Sequence, residues 1–161
     1  MPSDTYTVYI DPAFGDKIDD VLVGLMEWET VAHEHGEHLV FNPIVGYALV
    51  EAEPKMGSGV FSIHPDTINQ IEGLSGHSYI GYTMRDNDHD RSDAWVGSDI
   101  KDPVEWSTTL KHEMGHCMGL LHENLPVIMY PGWGSEVSRV VSCGDIQQYA
   151  RLRDRPAPVC P

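Results

Sequence analysis

The reactive side chains of this sequence concentrate in His112-Glu113-Met114-Gly115-His116-Cys117-Met118-Gly119-Leu120-Leu121-His122, followed by Ile128-Met129-Tyr130-Pro131. Reduced to its fixed positions, the first run reads H-E-x-x-H-x-x-G-x-x-H. On a helix, at about 100° per residue, His112 and His116 fall within roughly 40° of each other. Two imidazoles one turn apart can converge on one ion. Gly119 lets the chain leave the helix through a conformation that residues with a Cβ avoid, and that exit swings His122 back as a third ligand. Three neutral imidazoles with a fourth position left open describe a catalytic zinc site; a closed four-ligand site would be structural. Glu113 is placed to reach the ion's water without binding the metal itself. The bland alternative, a surface helix with solvated histidines, requires none of these spacings.

Completed by a downstream methionine turn, this pattern is that of the metzincin zinc endopeptidases, and the chain resembles them over residues 112–131. Met129, seven residues after His122, stands where the family carries the methionine that packs beneath the three histidines. The short interval and the run Ile128-Met129-Tyr130-Pro131 look like the matrix-metalloproteinase (matrixin) branch. Asp145-Ile146-Gln147-Gln148-Tyr149 resembles part of the matrixin C-terminal helix. Glu123 departs from that branch, which has serine after the third histidine, and matches astacins instead. Tyr130 lies one residue short of the metal-binding tyrosine of astacins and is read as structural. The resemblance implies an α+β fold: a twisted, mostly parallel five-stranded sheet with an antiparallel edge strand, packed on two long helices. A small C-terminal subdomain with the Met-turn and last helix would follow. Residues 1–161 would form a single catalytic domain, 1–119 holding the sheet and active-site helix and 120–161 the rest. The implied activity is cleavage of peptide bonds, with zinc on His112, His116 and His122 and Glu113 as general base, then acid. Pro131-Gly132-Trp133 would wall the pocket that takes the side chain following the cut.

The elements that must position these groups can be read in order. Thr5–Ile10 alternates and is rich in β-branched and aromatic residues, as a strand does. Asp16 is expected to cap a helix carrying Ile18, Val21, Leu22, Leu25, Met26 and Val31. The histidines of 33–38 have no metal-site spacing and are read as a solvated helix end. Leu39–Val50 reads as a strand whose Pro43 suits a bulge or an edge. Val60–Ile63 is a third strand after a Gly57-Ser58-Gly59 turn, and 65–74 holds a short helical turn. Ser78–Met84 and Ala94–Ile100 complete the set. By analogy with the family, Ser78–Met84 is the sheet edge that an extended peptide would join as a further strand. Asp102, Pro103 and Glu105 open a helix over about 103–119, as cap, first helical residue and capping-box partner. Its apolar stripe is Trp106, Leu110, Met114, Cys117 and Leu121, well around from the histidines.

Composition bounds the rest. At 161 residues the chain is one domain with room for a real core, and 22% charged and 41% hydrophobic residues suit a globular protein. A formal net charge of −15 argues against nucleic acid as a partner, since a phosphate-binding surface needs clustered Lys and Arg. It would draw a cationic peptide. No apolar run is long enough to span a membrane, and Met1–Thr5 lacks the basic and apolar regions of a signal peptide. The compartment stays open, the resemblance leaning to an extracellular one. A monomer acting on a protein or peptide substrate is expected. Of three cysteines, Cys117 reads as buried and unreactive, while Cys143 and Cys160 could be joined if the tail folds back. The acidic run Asp86–Asp93 is either an open loop or a Ca²⁺ site. It is no EF-hand, because Arg91 and Gly97 stand where glycine and glutamate are needed.

Two other functions fit parts of the pattern. A metalloprotease-like domain could hold a peptide without cutting it, though the intact Glu113 argues otherwise. Certain zinc-dependent endoribonucleases share the H-x₃-H-x₅-H ligand spacing, but they lack the glutamate, and −15 sits poorly with RNA.

Overall fold

A computed structural model describes residues 2–47, 58–75, 80–124, 127–131 and 138–161. Strict alternation makes Thr5–Ile10 (β1) a central strand, with Tyr6, Val8 and Ile10 buried on one face. Val40–Val45 (β2) and Ser58–Asp66 (β3) pair with it on either side, both parallel. Arg91–Gly97 (β5) runs parallel to β3, and Gly81–Asp86 (β4) runs antiparallel to β5. The strand order β2-β1-β3-β5-β4 thus gives a mostly parallel five-stranded sheet with one antiparallel strand, β4, at its edge. With four helices among the described residues, the fold is α+β, as expected. None of those helices is long and apolar enough to cross a membrane.

Ile18–Glu34 (α1) and Pro103–Cys117 (α3) share the buried face of the sheet and pack on each other. Trp28 on α1 is fully buried, and its indole N–H donates to the Lys111 carbonyl of α3 at 3.0 Å. Each such large side chain removed from water contributes about 1.5–3 kcal/mol. Ile68–Ser75 (α2) links β3 to β4. The last helix, Cys143–Arg151 (α4), is capped by Ser142 in a box with Asp145. A Cys143–Cys160 disulfide folds the tail back over it, while Cys117 is a buried free thiol. Arg153, fully buried, donates to the carbonyls of Ser3, Tyr149 and Met118 and to the Tyr6 hydroxyl. It thereby ties the C-terminal segment to β1 and to the end of α3.

Several expectations need correction. Asp16 does not cap α1: a 3-10 turn over Pro12–Lys17 comes first, capped by Asp11, and Lys17 at the α1 N-cap makes no side-chain capping bond. Met26 is 62% exposed, and Trp28 and Ala32 continue the buried stripe instead. Leu121 does not join the α3 stripe, because the helix ends at Cys117 and Leu121 is exposed. Glu105 closes no capping box; Asp102 alone caps, accepting from the Val104 N–H. β3 is longer than its apolar residues indicated, at 58–66; β4 lies later, at 81–86; and β5 lies three residues earlier, at 91–97. Pro43 does lie in an edge strand, β2. In the acidic run 86–93, where a calcium site was one alternative, two carboxylates are engaged by the chain itself. Buried Asp90 accepts from Arg85, Tyr6 and the Ser3 N–H, Asp86 pairs with His89, and no trio of ligand groups converges there among the described residues. Residues 48–50, Gly57, His77, Ser78, Tyr79, Gly132 and Trp133, which carried other expectations, lie outside the described residues.

Candidate metal centre

α3 carries His112 and His116 one turn apart, half-buried, on the side away from Trp106, Leu110 and Met114. It ends at Cys117, and the chain turns through Gly119 at φ +96°, a left-handed conformation that a side chain would strain. The turn delivers His122. Nε2 of His116 then lies 3.1 Å from Nε2 of His112 and 3.2 Å from Nε2 of His122. A tetrahedral zinc ion with ~2.0–2.1 Å bonds to nitrogen would set its ligand atoms roughly 3.3 Å apart. The two His116 distances are close to that spacing, and all three ligand atoms lie within 4.8 Å of one another. The trio is the one cluster among the described residues with three such ligand groups together.

The supporting bonds fix which nitrogen each ring would present to an ion. Nδ1 of His112 lies 2.8 Å from the Ile128 carbonyl, and Nδ1 of His116 lies 2.7 Å from the Leu120 carbonyl. A carbonyl only accepts, so each Nδ1 carries the proton and each Nε2 presents a lone pair. Burial pushes both rings down to about 4, which keeps them neutral, and it lowers His122 as well. Neutral lone pairs brought this close repel one another unless a cation lies between them.

α4 positions the loops that carry these acceptors. Asp145, fully buried, accepts from the N–H groups of Ile128 and Met129 at 3.1 and 3.2 Å, which orients the Ile128 carbonyl toward His112. Gln148, on the same helix face, clamps the backbone of Leu121: its amide oxygen accepts at 2.6 Å and its NH₂ donates at 3.0 Å. His122 follows directly. Met129 is fully buried against α3 at Gly115, where a Cβ would overlap its sulfur. Glu123 pairs with Arg151, 3.5 Å away.

Glu113 is buried beside the histidines and lines the same cleft, of about 480 Å³. Its Oε2 accepts from the Thr83 hydroxyl of β4 at 2.5 Å. Burial pushes its carboxyl up to about 7, against the pull of that bond. Burial also holds the Cys117 thiol well above its usual range, as an inert cysteine requires. The cleft runs between β4 on one side and Leu120–His122, Ile128, Tyr130 and Pro131 on the other.

All four residues singled out in the sequence, His112, Glu113, His116 and His122, therefore meet at one cleft. Thr83, Asp145 and Gln148 were not foreseen as site residues. Asp145 and Gln148 sit i, i+3 on a helix, a spacing that puts two polar groups on one face, and this was the signal available for them. A His₃ cluster above a mixed sheet fits a zinc site. A scan against protein-family models finds no match for this chain, and neither does a search of curated proteins.

Proposed function

We propose that the chain is a zinc-dependent endopeptidase, resembling the matrixin branch of the metzincins. The observation that carries this reading is the convergence of three imidazole nitrogens, His116 Nε2 lying 3.1 and 3.2 Å from the other two and all three within 4.8 Å of one another, with the carboxylate of Glu113 in the same cleft. His112, His116 and His122 would hold the ion and leave one side of it open to the cleft. Zinc supplies Lewis acidity to polarise a carbonyl and to make water nucleophilic near neutral pH. Glu113 takes the proton of the attacking water and returns it to the departing amine, so the carboxylate ends the cycle as it began. Thr83 and the packed strand β4 hold that carboxylate in the histidine-lined cleft rather than in solvent. β4, an antiparallel edge strand bordering the cleft, offers backbone groups to an extended peptide that would pair as a sixth strand.

Glu113 favours this reading over the endoribonuclease one, because members of that class lack the glutamate. It also separates it from a domain that binds peptide without cutting. Incubation with unfolded casein, with and without a chelator, tests the activity. The zinc-loaded chain should cleave and the chelated chain should not. Glu113→Gln should keep its zinc and lose about 10²–10⁴-fold in rate. Full activity in that variant, or no cleavage by the zinc-loaded parent, would overturn the reading.

A further inference from the structure

The edge strand does more than border the cleft. Gly81 and Thr83, two residues apart on β4, face the same way, and both meet the Glu113 side chain. At Gly81 a Cβ would stand 2.9 Å from Glu113 Oε1 and 3.0 Å from its Cγ, so the carboxylate fills the space that the missing side chain leaves. At Thr83 the hydroxyl donates to Oε2 at 2.5 Å. One carboxylate oxygen is therefore packed on bare backbone while the other is held by a directional bond. A buried glutamate has several rotamers open to it and loses side-chain entropy when confined to one. Neither residue belongs to the histidine motif, and they reach Glu113 from 30 or more positions away in the chain.

We propose that Thr83 is the positioning residue for Glu113. Its hydroxyl selects the rotamer in which one oxygen stays bonded to β4 and the other is left to receive the proton of the attacking water, with Gly81 providing the space. The inference rests on the peptidase reading for its kinetic consequence, but not for its structural one. A peptide added to β4 would meet the strand that also orients the base, so substrate alignment and base alignment share one element.

The test compares Thr83→Val, which keeps the shape and removes the donor, with Thr83→Ser, which keeps the donor. With zinc content equal in all three proteins, Thr83→Val should lower kcat on a casein-derived peptide by about tenfold or more, with KM within roughly twofold. Thr83→Ser should recover most of that loss. Crystal structures of the two variants supply the second readout: the Glu113 carboxylate should leave its place in Thr83→Val and keep it in Thr83→Ser. Parent-like kcat in Thr83→Val, equal impairment of the two variants, or an unmoved carboxylate in Thr83→Val would each overturn the proposal. If the zinc-loaded parent cleaves nothing, the peptidase reading falls alone, and the carboxylate positions still decide the role of Thr83.

Discussion

Replacing Asp145 by asparagine should weaken both the fold and the metal centre, and the structure sets the size of the effect. One carboxylate oxygen accepts from the N–H of Ile128 at 3.1 Å and from the N–H and hydroxyl of Ser142 at 2.9 and 2.8 Å. The other accepts from the N–H of Met129 at 3.2 Å. Asparagine can put its oxygen on the first side and keep three bonds. Its NH₂ then faces the Met129 N–H, donor against donor, in a fully buried place. An orphaned buried donor costs about 1–3 kcal/mol, and the surviving bonds lose the strength that a charged acceptor gives them. Burial pushes the Asp145 carboxyl above its usual range, so removing the charge returns part of that loss. The net destabilisation should be about 2–3 kcal/mol, or roughly 5–10 °C in Tm for a chain of this size. Urea denaturation of chelator-treated protein measures it. Because Asp145 also orients the carbonyl that holds His112, zinc affinity should fall roughly tenfold. A change in stability under ~0.5 kcal/mol would refute the energetic reasoning. Lost stability with unchanged zinc affinity would refute the link from α4 to His112.

Two further outcomes are expected. His64 on β3 lies 2.9 Å from Asp11 and 3.4 Å from Asp93. Burial alone would lower its pKa, but the bonds and charges of Asp93 and Asp11 outweigh it and leave the folded value raised. The resulting stabilisation is complete below the unfolded value of about 6.5 and is lost as pH rises through the folded value. Urea midpoints of the parent should therefore fall across that window relative to His64→Gln; parallel pH curves would contradict this. The Cys143–Cys160 bridge closes a loop of 17 residues' separation, so the Cys143→Ser, Cys160→Ser pair should lose about 3 kcal/mol in the same assay, and an unchanged midpoint would contradict it.

The metal ligands were legible because their geometry is local. The 3.6-residue period puts His112 and His116 together, and Gly119 marks the turn to His122, with no help from the rest of the fold. Asp102 and Pro103 announced the helix start for the same reason. What escaped reading depends on distant partners. Thr83 and Glu113 are separated by 30 residues, Met129 and Asp145 by 16, and Tyr6 and Arg153 by 147. No spacing rule encodes such pairs. In α1, periodicity alone allowed Met26 to face inward, but α3 covers the flank that carries Trp28, and Met26 points to solvent. In β5 the strand begins at Arg91, and its first inward residue, Ser92, is too small and polar to mark it before Ala94. The acidic run resembled a cation site because Arg85, Tyr6 and Ser3, which satisfy Asp90, lie elsewhere in the sequence or speak for nothing until folded.

Native mass spectrometry of the chain mixed with one equivalent of zinc, beside His116→Ala, tests the centre most directly. One zinc per chain should be retained by the parent through exchange into metal-free buffer and lost by the variant. A parent that holds no zinc, or a variant that holds it as tightly, would show that the three imidazoles do not grip an ion together.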